Sequence, residues 1–269
     1  MFLTGLCTQA IGQSPTPSFS YFPHDVIFAP LLANHDEPSL SAQQEIGASI
    51  LKLGIGNMMD IIEYRDGNSR IRFGADVFVY VRSNTIRGTL LKIDAADGYF
   101  GVHFAYHDGS PFRIRFRIFH FSAHLVDGNY NEDTGTWDPS NTPIPFSRNY
   151  GEILGAYDWD LTSVSIKAYA GLSYAPVVKP ADIRPFATLG GVELRRTGSP
   201  NIYAAYNFTL LGVPRYIGSN TAEVGVRLGR WDDHGFRMYL NYFGGLDPFG
   251  QYYNVYRRIW SIGIALDSW

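Results

Sequence analysis

Strict alternation of apolar and polar residues is the feature that most constrains this chain. In RIRFGADVFVYVR, residues 70–82, the apolar set is Ile71, Phe73, Ala75, Val77, Val79 and Val81, and the polar set is Arg70, Arg72, Asp76 and Arg82. Because successive side chains of a strand point to opposite faces, this period predicts a β-strand between an apolar and a polar environment. Similar segments recur to the C-terminus, and we predict an all-β chain of about twelve strands.

The connections between these segments alternate in length. Short turns rich in Asp, Gly and Asn are expected at 65–68, 107–111, 159–162, 196–201 and 231–235. Longer connections are expected at 83–98, 126–148, 175–183, 212–220 and 244–257. This rhythm predicts a closed antiparallel up-and-down barrel with tight turns at one rim and long loops at the other.

Periodicity does not decide which face of a barrel points inward, but three features favour a transmembrane barrel. The polar faces carry charges of both signs that can pair across a lumen, and the chain ends on an aromatic residue, Trp269. Aromatic residues also cluster near strand ends, as in the girdles at membrane interfaces; they are Tyr64, Tyr80, Tyr106, Tyr157, Trp159, Tyr174, Trp231 and Trp260. A soluble ligand-binding barrel with the apolar faces inside is the alternative.

Composition excludes several classes of protein. The net charge is −3 and the arginines are dispersed among acids, so no nucleic-acid partner is expected. The single cysteine, Cys7, excludes an internal disulfide framework and a thiolate metal cluster. No segment has the pattern of a phosphate-binding loop, and we predict no cofactor and no metal site of recognisable spacing.

The N-terminal part of the chain does not alternate. We interpret residues 1–12 as the remnant of an export signal, with a plain unstructured N-terminus as the alternative. Residues 13–44 are proline-rich and irregular and predict either a tether at the rim or a plug inside the lumen. Residues 45–269 form the predicted transmembrane barrel.

Four segments bear a family resemblance in their order and spacing: FPHDVIFAPLLANHDEPSLSA, FGVHFAYHDGSPFRIRFRIFHFSAHLVD, NYGEILGAYDW and GGLDPFGQYY. With them, the chain from about Phe22 onward resembles an uncharacterised family of predicted bacterial outer-membrane barrels, known by a domain-of-unknown-function label. The resemblance implies a barrel in the outer membrane of a Gram-negative bacterium. It implies no activity.

The stretch RIRFRIFHFSAHL, residues 113–125, contains a conflict of register. Strict alternation places Arg113, Arg115 and Arg117 on one face and His120, Ser122 and His124 on the other. A β-bulge at Ile118-Phe119 removes the conflict, because one extra residue flips every later side chain. We therefore expect all six polar residues to face the lumen, with the phenylalanines outside.

Two functions are open for the polar residues. In the first, they fill a narrow lumen as a hydrogen-bonded ladder; its members are Arg70, Arg72, Asp76, His103, Arg113, Arg115, Arg117, Lys167, Glu193, Glu223, Arg227 and Arg237. In the second, Ser122 is the nucleophile of a lipid esterase, with His120 or His124 as base and Glu152 as orienting acid. This His-x-Ser arrangement resembles that of outer-membrane lipid A deacylases.

The favoured hypothesis is an outer-membrane barrel with a periplasmic N-terminus and a polar, largely filled lumen. It would serve narrow-channel transport, or a structural or docking role in the cell envelope. The expected partners are outer-membrane lipid and an envelope protein bound through the long loops or the N-terminal segment. The last long loop, around Gln251, is expected either to fold into the pore or to contact an external partner.

Overall fold

The computed structural model describes residues 16–86, 90–231 and 233–267, and these form an all-β protein. In chain order the strands are β1 (Ser18–Tyr21), β2 (Leu40–Glu45), β3 (Ile50–Asp66), β4 (Ser69–Ile86), β5 (Leu90–His107), β6 (Phe112–Leu125), β7 (Tyr130–Asn131), β8 (Thr136–Trp137), β9 (Phe146–Asp160), β10 (Val164–Lys179), β11 (Phe186–Arg196), β12 (Asn201–Gly212), β13 (Tyr216–Leu228), β14 (Gly235–Leu246) and β15 (Tyr256–Asp267). Two short 3₁₀ helices, Asp127–Asn129 and Gly250–Tyr252, complete the elements. The described part of the chain contains no helix long and apolar enough to cross a membrane.

The sheet closes on itself. Each strand from β3 onward pairs antiparallel with its neighbour, β7 and β8 form a separate hairpin, and β2 joins β15 to β3. The result is a closed antiparallel barrel of 12 strands, as the alternation predicted. Closure removes most of the free sheet edge, which matters in a bilayer because unpaired backbone groups are costly there. A gap remains along residues 55–60 of β3, between its pairings with β2 and β1.

The wall beside β3 is built from two pieces of the N-terminal chain. β1 pairs with β3 at Ser18↔Arg65 to Tyr21↔Ile62, and β2 pairs with β3 at Ser41↔Gly54 to Gln44↔Leu51. Between them, residues 22–39 leave the sheet and enter the barrel, and we call this segment the plug. β1, and all of β2 except its last residue Glu45, lie within residues 13–44, which the sequence predicted to be irregular.

The outward faces of the strands are apolar and the inward faces are mainly polar. Ile71, Val77, Phe104 and Ile262 are exposed outside, whereas Arg72 is buried inside. This arrangement is opposite to that of a soluble barrel, so the alternative with inward apolar faces is wrong.

Six of the eight predicted girdle aromatics agree with this orientation, and two do not. Tyr80 is buried in the lumen and its hydroxyl donates to the Glu37 carbonyl oxygen. Trp231 packs at the barrel mouth against Tyr203, with ring centroids 5.9 Å apart. For these two residues the girdle prediction was wrong, because position near a strand end does not specify the face.

Strand β6 has no bulge. Ile118 and Phe119 pair in unbroken register with Val102 and Gly101 of β5, and the pairing with β9 is equally continuous. The predicted bulge at Ile118-Phe119 was therefore wrong. Phe119 points into the lumen, and the outward residues are instead His120, Ser122 and His124.

The short connections lie at one end of the barrel, which we call the turn rim, and the opposite end is the loop rim. The longest described connection at the loop rim, 126–145, carries the β7–β8 hairpin. The predicted loop at 83–98 is largely strand, since β4 extends to Ile86 and β5 begins at Leu90. Strand β3 runs without a break from Ile50 to Asp66 and has an irregular register between Asp60 and Ile62.

Candidate functional site

The plug is attached to the lumen wall by ion pairs near the turn rim. Arg72 is fully buried and its guanidinium contacts three carboxylates. Asp25 of the plug lies 2.6 Å from Nη2, Glu63 also lies 2.6 Å from Nη2, and Asp60 lies 2.7 Å from Nη1. A buried guanidinium needs such partners, because an unpaired charge in this environment would cost several kcal/mol.

A second set of ion pairs lies at mid-height. Arg115 holds plug residue Glu37 in a two-pronged contact, with Nη1 2.9 Å from Oε2 and Nη2 bonded to Oε1. Arg117 lies 2.7 Å from Glu152 on β9 and 3.3 Å from Glu37. The side chains of all four residues are almost completely buried. Arg115 also lies 3.6 Å from Glu152, so Glu37 of the plug is the second carboxylate for two arginines that share one carboxylate of the wall.

Apolar contacts hold the middle of the plug. Phe28 and Leu31 pack against Leu154 and Tyr169 of the wall, and the Arg115 guanidinium lies 4.7 Å from the centre of the Phe28 ring. The backbone N–H of Leu32 donates to Glu193 Oε1 at 2.9 Å. The plug therefore combines apolar packing with specific polar contacts along its length.

His103 of β5 links two carboxylates of the adjacent strands β3 and β4 on the lumen face of the wall. Its Nε2 lies 2.7 Å from Asp60 Oδ1 and its Nδ1 lies 3.1 Å from Asp76 Oδ2. Gly74 provides the space, because a Cβ there would come within 2.3 Å of the imidazole. A glycine inside a strand often marks such a close approach.

The other predicted ladder residues also face the lumen. Arg113 pairs with Asp158, and Lys167 lies 3.9 Å from Glu193. The remaining contacts connect Arg70 to Glu63, Arg227 to Asp267, and Arg237 to Glu223 and Asp267. The polar interior is therefore a network of ion pairs whose carboxylates come from the wall and from the plug.

The half of the lumen near the loop rim is aromatic. Tyr99 stacks between Phe78 and Phe121, with centroid distances of 4.4 and 4.2 Å. The connection 247–255 folds into this region: Phe249 is buried, and the Gly250 N–H donates to Asp97 Oδ2 at 2.9 Å. The inward position of this loop agrees with the first of the two alternatives left open for it.

A cavity of about 100 Å³ remains between the plug and this loop. Its wall is rich in hydroxyl and amide groups and includes one buried cation, Arg148. The polar residues that line it are Asn34, His35, Asp36, Arg148, Tyr150, Glu152, Ser173, Thr188, Asn207, Thr209, Ser219, Thr221, Asp247 and Tyr253. It is large enough to hold several water molecules or a small organic molecule.

The residues predicted as catalytic do not form the expected constellation. His120 faces outward, and its Nδ1 lies 2.6 Å from Oδ1 of Asn149, not from a carboxylate. Glu152 is buried on the lumen side, where it pairs with Arg117. The role of Glu152 as orienting acid was therefore wrong, because the barrel wall separates it from the imidazole. Among the described residues, no hydrogen bond joins Ser122 to a histidine.

Three histidines of β5 and β6 are also separated by the barrel wall. His103 lies in the lumen, and His120 and His124 lie outside. No group of three or more His, Cys, Asp or Glu side chains within residues 16–86, 90–231 and 233–267 is arranged to hold a metal ion.

The pKa values of buried groups in the plug and in the 247–255 loop are shifted in different directions. Burial alone would raise the pKa of Asp25, but hydrogen bonds from Arg72 and Arg70 outweigh burial and lower it to about 2. Burial and the charge of Lys52 hold the pKa of His35 well below its ordinary value, and Lys52 Nζ lies 2.6 Å from Nδ1. Burial raises the pKa of Asp247 in the inner loop.

Sequence reasoning missed the plug's carboxylates and the shared contact of Asp60 and Glu63 with Arg72. Asp60 and Glu63 are separated by an odd number of positions, which normally places two side chains on opposite faces. Both face the lumen here because the β3 register shifts between Asp60 and Ile62. The acidic residues of the plug had no alternating pattern around them that would have indicated where they point.

The closed barrel, its apolar outer surface and its charged interior define an outer-membrane β-barrel fold. No family model matches the chain, and no curated protein matches it.

Solved structures with a similar fold include the β domain of the Bordetella autotransporter BrkA and the outer-membrane protein OmpT of Vibrio cholerae. The BrkA domain is 15% identical, with 84% of this chain and 94% of that chain covered and a TM-score of 0.49. OmpT expressed in the outer membrane is 10% identical, with 96% and 99% covered and a TM-score of 0.39.

Proposed function

We propose that this chain is a gated outer-membrane channel of a Gram-negative bacterium, with its N-terminus in the periplasm. The lumen is closed by the plug from the turn rim and by the 247–255 loop from the loop rim. Displacement of the plug would open a passage for a small polar solute. Membership of the uncharacterised family that the sequence resembles is part of the same proposal.

One observation carries the proposal: plug residues Asp25 and Glu37 are counterions of the wall residues Arg72 and Arg115. A plug that only filled space could be apolar, since apolar replacements of buried ion pairs are often neutral or stabilising. A charged wall, unlike an apolar one, can be hydrated. When the plug leaves, water can solvate the arginines, so the open lumen would be a hydrated polar path.

The experiment compares two N-terminal truncations in planar bilayers. A variant that begins at Ser39 lacks β1 and the plug, and a control that begins at Ser18 keeps both. We expect stable single-channel conductance from the first and rare openings from the second. Heat-modifiable gel mobility confirms that each barrel is folded. A folded Ser39 variant with no more conductance than the control would refute the channel.

A docking role is compatible with a closed lumen. The longest described loop-rim connection, 126–145, carries the β7–β8 hairpin, in which Asn131 and Thr136 are exposed, and an envelope protein would bind there. Crosslinking from this loop in intact cells tests the partner, and absence of conductance from every variant would favour this role.

The outer face supports a second candidate, hydrolysis of a lipid ester. His120, Ser122 and His124 lie at successive outward positions near the loop rim, each about 7 Å from the next by strand rise. The side-chain oxygen of Asn149 accepts a hydrogen bond from His120 Nδ1 at 2.6 Å. In a catalytic triad the third group orients the histidine ring in this way.

A fluorophosphonate probe tests this candidate. Wild type should be labelled and Ser122→Ala should not, whereas Ser147→Ala, which alters the serine paired opposite Ser122 on β9, should be labelled normally. Absence of labelling on folded wild-type protein would exclude the esterase.

A further inference from the structure

The cavity beneath the 247–255 loop contains an excess of hydrogen-bond donors. Four buried donor atoms of its lining have no acceptor among the described residues: Asn34 Nδ2, His35 Nε2, Arg148 Nε and the Tyr150 hydroxyl. His35 Nε2 carries its proton because Nδ1 accepts from the Lys52 ammonium. Buried donors are normally satisfied, and acceptor atoms of water or of a small molecule bound in the cavity would satisfy this set.

The buried side chain of Arg148 indicates that a ligand of this cavity is negatively charged. Arg148 is buried, with 7% of its surface exposed, and it forms no ion pair with a described residue. Its guanidinium lies 5.3 Å from the centre of the Tyr150 ring, and both residues line the cavity. A buried guanidinium without a carboxylate is costly, and a two-oxygen anion is its natural partner.

The acidic residues of the same lining limit the ligand to a low charge. Glu152 pairs with Arg117, and Asp247 pairs with Arg82 and Arg257. Asp36 accepts a hydrogen bond from the Tyr99 hydroxyl at 3.1 Å. These carboxylates would repel a dianion such as phosphate, so a monoanionic carboxylate fits better than a multiply charged group.

The rest of the lining indicates hydroxyl groups on the ligand. Ser173, Asn207, Thr209 and Thr221 of the lining offer donors and acceptors. Phe121 and Phe146 supply apolar contact. Binding sites commonly combine such an apolar wall with a few well-placed polar groups.

We infer that this cavity is a binding site for a small hydroxylated carboxylate, a sugar acid or a shorter hydroxy acid, whose carboxylate is held by Arg148 and Tyr150. The inference goes beyond the channel proposal, because a solute can bind here whether or not it passes through the barrel.

Calorimetry on the full chain refolded in detergent tests the site, with D-gluconate as the probe. D-glucitol has the same hydroxylated chain without the carboxylate, and inorganic phosphate tests the charge. We expect gluconate to bind and glucitol to bind at least about tenfold more weakly, because a charged hydrogen bond is lost. No gluconate binding at millimolar concentration, equal binding of glucitol, or tighter binding of phosphate would overturn the inference.

Three variants locate the binding within the barrel. Arg148→Gln should weaken gluconate by about tenfold or more. Arg184→Gln removes the same charge from an exposed arginine between β10 and β11 and should leave the affinity unchanged. Tyr150→Phe should weaken binding by about fivefold without lowering the urea midpoint, since its hydroxyl has no protein partner. Unchanged affinity in both Arg148→Gln and Tyr150→Phe would place the ligand elsewhere and refute the site.

Discussion

The two halves of strand β6 have opposite polarity on each face. From Arg113 to Ile118, arginines point inward and apolar side chains point outward. From Phe119 to His124, aromatic side chains point inward and His and Ser point outward. The register between the halves is continuous, so the change lies in what surrounds them. The first half meets the charged plug, and the second meets the aromatic cluster under the inner loop.

This comparison shows that a barrel strand does not keep one polar face along its length. A side chain is selected by its local environment, which is lipid, the interfacial region, plug or loop at different heights. The predicted bulge assumed that all polar residues must share the lumen. The observed strand instead places its second polar set outside, toward the loop rim, where the headgroup region can solvate it.

The largest effect is expected when an ion pair between the plug and the charged half of β6 is removed. Glu37→Ala leaves Arg115, which is 1% exposed, without its two-pronged partner, and plug docking should lose about 3–5 kcal/mol. The measurement is thiol labelling of Leu32→Cys in a Cys7→Ser background, because Leu32 is buried while the plug is docked. Labelling should accelerate strongly in Glu37→Ala.

The matched control for this change is the double variant Glu37→Met with Arg115→Met, which removes both charges and keeps the volume. Its labelling rate should remain close to that of wild type, because no uncompensated charge is buried. Equal rates for Glu37→Ala and wild type would show that this ion pair does not hold the plug.

A smaller effect is expected in the aromatic half. Phe121→Leu removes the stack on Tyr99 and should lower the free energy of unfolding by about 1–2 kcal/mol. Phe116→Leu is the control on the same strand, because Phe116 points outward and is 39% exposed. Urea unfolding in micelles measures both. If Phe116→Leu costs as much as Phe121→Leu, the assignment of the two faces is wrong.

Acidification should weaken plug docking by less than the loss of Glu37. The pKa of His35 is held well below its ordinary value by burial and by Lys52, so the docked plug binds fewer protons than the released plug. The contribution of neutral His35 to the free energy of plug docking is therefore complete above about pH 6.5, and it decreases as the pH falls below that value. The Leu32→Cys labelling rate should rise on acidification, and His35→Gln should flatten this part of the profile. An unchanged slope in His35→Gln would assign the effect to other groups.

Much of the fold was predictable from the alternation, and much of the site was not. The period of two at residues 70–82 is sufficient to indicate a two-sided wall, and the alternation also placed residues such as Arg72 and Glu193 on its polar face. Neither the plug nor the β3 irregularity has a local pattern. The plug's position depends on distant contacts such as Leu32 to Glu193, and the irregularity reverses the parity on which face prediction depends.

The smallest effect is expected on the outside of the second half of β6. His120 is exposed and its bond to Asn149 lies at the surface, so His120→Ala should change the free energy of unfolding by less than about 1 kcal/mol. Because the change in stability is small, the accessibility of the side chain to a reagent is the better test of whether it faces outward or into the lumen. In the Cys7→Ser background, His120→Cys should react with a membrane-impermeant thiol reagent added to intact cells, whereas Phe121→Cys should not. Reaction at Phe121→Cys together with protection at His120→Cys would show that the strand has a bulge at Ile118-Phe119 after all. His120 would then face the lumen and Phe121 would face outward.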